Sequence, residues 1–258
     1  MEIPLDPSKT IAAVFLLAKC DMGCTFCASD LGIDRLGFGQ ACALMKGLWE
    51  AGYRILVLGG GEPALWRDGE KRLVDLAVFA KGLGFVVQIN TNGIRLDEGF
   101  ENWPGVDRFI FPMDGAGAAR HDSLRVVLGS QPDGHYGLVQ ERVEACVRAG
   151  RGLTIGTVLT RKNKRELTGL IDWMRMRVKQ GADIHAWHLY RFQAVGRGGT
   201  GASVELGLPS DEFKAICGKA KAAGLPFPVW RRDDMLRSST VEYFWFQGGE
   251  LQVGGQAQ

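Results

Sequence analysis

Six short apolar runs alternate with stretches of helical spacing, and that beat constrains the fold more than any other feature of the chain. The runs are Ile11–Ala18, Arg54–Leu58, Phe85–Ile89, Arg108–Phe111, Leu153–Leu159 and Ile184–Tyr190. Between them, Gln40–Ala51 places Leu44, Leu48 and Ala51 on one face, and Glu70–Leu83 does the same with Leu73, Leu76, Ala77 and Ala80. Gly137–Ala149, Arg165–Val178 and Asp211–Ala223 read as further helices, the last with Ser210 as N-cap. Apolar strands alternating with helices build parallel βαβ units. Six such units form a partial barrel or an open doubly wound sheet, and the pattern by itself accommodates both.

In either architecture ligands bind at the carboxyl ends of the strands. The unusual motifs of this chain all fall there: Cys20–Cys27, Gly59–Pro63, Asn90–Gly93 and Pro112–Gly115. The coincidence argues for one shared site. Cys20, Cys24 and Cys27 read C-x3-C-x2-C. Thiolates are the ligands of iron–sulfur clusters, and three of them leave one iron of a four-iron cluster open to a small molecule. A structural zinc site wants four ligands, so it would need a distant partner or a carboxylate such as Asp21, because His121 is the first histidine of the chain. Three unrelated buried thiols are the remaining alternative. The turn chemistry of Asp21 and Gly23 favours an exposed, wrapped loop. Gly60 and Gly61 allow close backbone approach, and Glu62 offers an anionic acceptor for an ammonium group or is a solvated turn residue. No Gly-Lys-Ser/Thr follows, so this is no Walker loop.

The sequence has 258 residues with 46% hydrophobic, enough for a sizeable core in one domain. Lys+Arg 31 against Asp+Glu 29 makes no electrostatic case for nucleic acid or an anionic membrane. Six cysteines in a chain this long are no disulfide scaffold. Residues 1–9 lack a signal pattern and no apolar run reaches membrane-spanning length. The expectation is a cytoplasmic, reducing setting. Residues 1–225 are read as the core. Residues 226–258 are read as a C-terminal β extension of the same domain, with a strand at Phe227–Trp230, a Val241–Phe246/Glu250–Val253 hairpin and a loose end over 254–258.

Taken in order, Cys20-x3-Cys24-x-Phe26-Cys27, Gly60-Gly61-Glu62-Pro63, Thr91-Asn92-Gly93 and Met113-Asp114-Gly115 resemble the strand-end motifs of radical S-adenosylmethionine (SAM) enzymes, over about Ile11 to Gly198. The resemblance implies a partial (β/α)6 barrel of parallel strands with a short C-terminal β extension. It implies that Cys20, Cys24 and Cys27 hold a [4Fe–4S] cluster, with SAM chelating the fourth iron. It also places Phe26 by the adenine, Gly60, Gly61 and Glu62 at the methionine amino group, Asp114 or Asn92 on the ribose side and Gly156–Val158 along the adenine. Pro112 stands where relatives usually have Ser, which removes a hydroxyl. Reductive cleavage of SAM would give a radical that abstracts hydrogen from a small-molecule or peptide substrate, with flavodoxin or ferredoxin as electron donor. Gly115–Arg125, Thr160–Asn163 and His188–Gly198 resemble the peptide-modifying and molybdopterin-precursor branch, although no cysteine after Cys217 supplies auxiliary clusters. A viperin-like nucleotide enzyme, a glycyl-radical activating enzyme and a non-enzymatic metal- or redox-sensing scaffold are the alternatives.

Other residues carry weaker signals. Cys42, Cys146 and Cys217 read as helix core or, alternatively, as a hydrogen-atom donor. Tyr243 reads as lid or substrate contact. His121, His185 and His188 read as structural, with His188 nearest a site-facing strand end as an acid–base candidate. Arg191 is the better candidate for an anionic group of substrate or SAM, and Arg197 an anchor for a glycine loop. Arg231–Asp234 reads as a solvated charged turn.

Overall fold

The computed structural model describes residues 9–29, 32–129, 134–234, 238 and 240–254. Six strands follow the predicted runs: β1 (Ile11–Phe15), β2 (Ile55–Gly59), β3 (Val86–Asn90), β4 (Arg108–Pro112), β5 (Gly152–Leu159) and β6 (Ile184–Arg191). They lie side by side in chain order, all parallel. A doubly wound sheet must reverse its order at a switch point, whereas sequential order keeps every crossover turning the same way. The sheet is therefore of the barrel type, as the resemblance implied.

The C-terminal strands extend that same sheet at both ends. β7 (Val229–Arg232) pairs with β6, and β8 (Val241–Gln247) pairs in parallel with β1. β9 (Glu250–Val253) folds back antiparallel on β8 through the two-residue Gly248-Gly249 loop. The order is β9-β8-β1-β2-β3-β4-β5-β6-β7. Arg232 Nη1 of β7 donates to Thr240 Oγ1 just before β8, at 3.4 Å, so the two flanks of the curved sheet are joined by a side chain. Arg231 and Arg232 thus sit in a strand, not in the solvated turn expected of them. Gly254 donates to the Tyr243 carbonyl; the rest of the expected loose end lies outside the described residues.

Helices pack on the outside: α1 (Phe38–Glu50), α2 (Leu73–Leu83), α3 (Ala118–Leu124), α4 (Gly134–Arg148), α5 (Leu167–Lys179) and α6 (Ser210–Lys221). α1 buries Ala41, Leu44, Met45 and Leu48, the i, i+3, i+4, i+7 stripe expected of a helix on a sheet. α6 starts at Ser210 itself, with Pro209 at the cap, and α3 falls where no helix was predicted. Strand residues alternate between two faces. Ala12 and Val14 of β1 and Leu153 and Ile155 of β5 join the outer core. Ala13, Phe15, Thr154, Gly156 and Val158 line an internal cavity instead. Between β5 and β6 the register steps from Leu153↔Ile184 to Thr154↔Ala186, leaving His185 as an extra residue. That bulge brings His185 to the cavity along with His188, whereas an unbroken alternation would set it on the face of Trp187. No helix among the described residues is long and apolar enough to cross a membrane.

Candidate cluster and cofactor site

The cavity is about 1320 Å³ and reaches the carboxyl ends of the strands. Its wall includes the cysteine loop after β1, Gly60–Glu62 after β2, and Thr91 and Asn92 after β3. The cysteine loop is clamped from two sides. On one side it pairs with the segment after α3: Gly23 donates to the Val126 carbonyl (2.7 Å), Thr25 to that of Leu124 (3.0 Å), and Leu128 to that of Asp21 (2.9 Å). On the other side lies a short helical turn, Gly196–Gly199. Gly198 donates to the Cys27 carbonyl (3.0 Å). A Cβ on Gly198 would overlap the Cys24 carbonyl and the Cys27 amide, so this position admits no side chain. Cys24 is buried, Cys20 and Cys27 half-buried, and all three line the cavity.

The Gly-Gly-Glu loop is stitched to the entry of the cysteine loop. Gly61 donates to the Leu17 carbonyl (2.7 Å) and Glu62 to that of Lys19 (2.8 Å). Gly60 has φ +127, and a Cβ there would lie 2.6 Å from the Leu17 oxygen. These glycines are demanded by the chain's own backbone, beyond any ligand they face. Glu62 is buried. Its carboxylate accepts from Ala64 N (2.9 Å), Thr91 Oγ1 (2.6 Å) and Asn92 N (2.7 Å), and burial raises its pKa to about 7. Asn92 in turn donates to Asp21 Oδ1 (2.8 Å) and faces Cys20 Sγ at 3.8 Å. One carboxylate thus locks the loops after β2 and β3 together beside the thiols.

Burial pushes the thiol of Cys20 up, and that of Cys24 up to about 11. Two guanidiniums oppose this. Arg125 Nη1 lies 3.9 Å from Cys24 Sγ, and Arg197 hydrogen-bonds Cys20 and Cys27. Arg125 also covers the Phe26 ring at 5.1 Å. Its counter-ion is Asp114, fully buried, whose Oδ2 takes Arg125 Nε and whose Oδ1 takes Val158 N (2.6 Å). Asp114 was expected at the ribose. It is absent from the cavity wall, and both its oxygens are spent on holding Arg125 and β5. Behind it, Asp114 N donates to His121 Nδ1 (3.2 Å), His121 Nε2 meets His135 Nδ1 (2.8 Å), and His135 Nε2 meets the Asn92 carbonyl (2.8 Å). Because the backbone N–H occupies His121 Nδ1, both rings carry their proton on Nε2 and the chain runs from Asp114 to Asn92. Burial, then Arg125, pushes His121 down to about 2 and His135 to about 4, so both are neutral.

This donor set fits an iron–sulfur cluster. Three thiols face one void, side chains are excluded around them, and Arg125, Arg197 and Asn92 aim N–H groups at the sulfurs. Among the described residues no three Cys, His, Asp or Glu are grouped to hold a single ion. Thiols spread about a void suit the separate corners of a cluster better than one zinc ion.

Phe26, Asn92, Gly156, His188, Arg191 and Tyr243 also line the cavity. The scattered cysteines do not: Cys42 packs half-buried on α1, and Cys146 and Cys217 sit in the outer core. Sequence reasoning passed over Arg125, whose position inside a resembling segment was its only signal. It also passed over Thr154 and Gln88, which strand alternation alone marks as inward-facing, and it read Arg232 as part of a solvated turn although it lines the cavity.

Comparison with known proteins agrees with this geometry. The Radical SAM superfamily profile matches residues 14–174. The chain is 27% identical over 203 residues to an AdoMet-dependent heme synthase of Methanosarcina barkeri, covering 76% of this chain and 54% of that one. It is 25% identical over 198 residues to the AdoMet-dependent heme synthase of Nitratidesulfovibrio vulgaris, covering 74% and 50%. The chain thus spans about half the length of the curated relatives it matches. In fold it is similar to Streptococcus suis SuiB bound to precursor peptide SuiA, with a TM-score of 0.67 at 14% identity over 86% of this chain and 49% of that one. The chain belongs to the radical SAM superfamily of enzymes, whose cofactors are a [4Fe–4S] cluster and S-adenosyl-L-methionine.

Proposed function

We propose that this chain binds a [4Fe–4S] cluster through Cys20, Cys24 and Cys27, and binds SAM in the adjoining cavity, in order to start radical chemistry on a small-molecule or peptide substrate in a biosynthetic pathway. The observation that carries the reading is the three-thiol wall, with N–H donors on its sulfurs and a cavity of about 1320 Å³ in front of it. The cluster held there would, when reduced, supply the one electron that SAM accepts, so that S–C5′ cleavage would give methionine and a 5′-deoxyadenosyl radical able to abstract hydrogen from substrate. The protein's own part is positional. Arg125, Arg197 and Asn92 stabilise thiolate sulfur. Glu62, with Gly60 and Gly61, would hold the methionine ammonium. Phe26, Asn92, Gly156 and Arg191 would be the remaining SAM contacts. Asp114 acts through Arg125 as a positioning residue. Of the candidate hydrogen donors or acid–base groups, Tyr243 and His188 share the cavity with SAM, and Cys42, Cys146 and Cys217 lie outside it. A flavodoxin or ferredoxin would supply the electron in a cytoplasmic setting.

The test is anaerobic reconstitution with iron and sulfide, reduction with dithionite, addition of SAM and mass-spectrometric detection of 5′-deoxyadenosine. Product that disappears in Cys24→Ala supports the reading. A chain that holds zinc and leaves SAM intact supports the non-enzymatic scaffold. Stable capture of a large partner protein whose glycine becomes a radical supports an activating enzyme.

A further inference from the structure

The cavity also holds a cluster, Arg232, His188 and Tyr190, that is not among the SAM contacts named above. Arg232 Nε donates to His188 Nδ1 (3.2 Å), which fixes the His188 proton on Nε2 and leaves that N–H directed elsewhere. Tyr190 stacks on His188, with ring centroids 5.9 Å apart and planes at 22°. Both residues, with Arg232, line the cavity. Arg232 has only His188, Thr240 and the face of Trp230 as partners among the described residues, all uncharged. Asp234 lines the same cavity and has a partner of its own. Deeper in, Thr154 is 2% exposed and its Oγ1 has no hydrogen-bond partner although it faces the cavity. A buried polar group left unpaired costs about 1–3 kcal/mol, which a ligand would recover.

The same cavity has a flat, apolar wall. Phe15 lies against Tyr243 (centroids 5.8 Å) and Trp245 (6.5 Å), all three on the cavity. Burial pushes the Tyr243 hydroxyl up, so it stays a neutral donor, and burial with the Arg232 charge keeps His188 neutral. The groups left unspent here, the Arg232 guanidinium and the His188 Nε2–H, are thus a cation and a hydrogen-bond donor, and the cavity they line also carries an aromatic shelf. A guanidinium fork beside an N–H donor takes a carboxylate or phosphate in bidentate fashion.

We propose that Arg232, His188 and Tyr190 form a substrate subsite for an anionic group, a carboxylate or a phosphate, carried on a flat and largely apolar body that lies against Phe15, Tyr243 and Trp245. The subsite deepens the functional reading above and rests on it for the word substrate. The binding it claims is testable without SAM cleavage.

Equilibrium dialysis of the anaerobically reconstituted protein, with saturating SAM present and absent, against 1-naphthoate, 1-naphthyl phosphate and the neutral 1-naphthamide tests it. The expected result is that at least one anion binds about ten- to hundredfold more tightly than the amide, with or without SAM. The anion that wins identifies carboxylate or phosphate. Arg232→Gln should erase the preference, Arg232→Lys restore part of it, and Arg231→Gln, whose guanidinium pairs with Asp233 at the surface, leave it intact. Equal affinity for acid and amide, no saturable binding of either anion, or a preference that survives Arg232→Gln would overturn the subsite. Loss of the preference only when SAM is added would assign these groups to the SAM carboxylate and overturn it equally. If SAM is never cleaved but the Arg232-dependent preference persists, the subsite stands and the radical reading fails.

Discussion

Asp114 and Arg125 form a buried pair, with Asp114 fully enclosed and Arg125 turned toward Cys24. Removing one partner of such a pair leaves an uncompensated charge, at a cost of about 3–5 kcal/mol. Asp114→Ala should therefore lower stability in urea denaturation by that order, and reduce iron retention by freeing Arg125. Asp97→Ala, which breaks the half-exposed pair with Arg72, should cost about 1 kcal/mol or less. The His121–His135 pair gives a pH dependence whose sign is fixed. Both rings have folded pKa values, about 2 and about 4, below the unfolded value of 6.5, so the unfolded chain binds more protons and stability falls as pH drops below about 6.5. Glu62, raised from 4.5 to about 7, acts in the opposite sense: its protonated form is favoured on folding, and its penalty at neutral pH is relieved as pH falls. Replacing His135 by Gln leaves Glu62 in place, so the stability difference between native protein and His135→Gln should shrink by about 2–3 kcal/mol between pH 7 and pH 4. A constant difference would show that the ring is not held neutral. At this scale the sequence was legible where spacing carries the chemistry, as at Cys20, Cys24 and Cys27. It misled where a motif residue turns inward. Asp114 stands in the expected motif, but its direction depends on Arg125, eleven residues later on a helix end that no periodicity announced.

Among elements, the helical turn Gly196–Gly199 matters most to the site, because its backbone touches the cysteine loop directly. Gly198→Ala places a methyl where the Cys24 carbonyl and Cys27 amide already sit, and should cut iron incorporation severely in an anaerobic reconstitution assay. Gly39→Ala in α1 meets nothing within 4 Å and should raise stability by about 0.5–1 kcal/mol with iron content unchanged. The strands were legible because parallel βαβ strands read as apolar runs. Their inward faces were harder to read, since Gln88, Thr154 and His188 interrupt the runs only at alternate positions. The β5–β6 bulge shifts His185 across the sheet, and one extra residue in a ladder leaves no mark in a sequence. Arg231–Asp234 looked like a surface turn by composition. Only the pairing of β7 with β6 shows that Arg232 points inward.

At the scale of the whole molecule, the segment after residue 225 completes the core sheet, with β7 on one flank and β8 on the other. We propose that residues 9–254 unfold as one cooperative unit. Truncation before β7 should then abolish the two-state urea transition, and a core transition surviving that truncation would show an independent extension. Strand order was legible only through the resemblance, since the beat of strands and helices suits a barrel or an open sheet equally. The cavity was not legible at all, because its volume depends on how far the sheet curls. What the fold achieves is to bring motifs from three successive strand ends to one void with three thiols on its wall. The most direct measurement is ⁵⁷Fe Mössbauer spectroscopy of the reconstituted protein before and after SAM is added. A four-iron cluster in which one iron alone changes its coordination on SAM binding is predicted, with the signal lost in Cys24→Ala. Iron that is unperturbed by SAM, or a cluster that forms equally well without Cys24, would contradict an open iron held by these three cysteines.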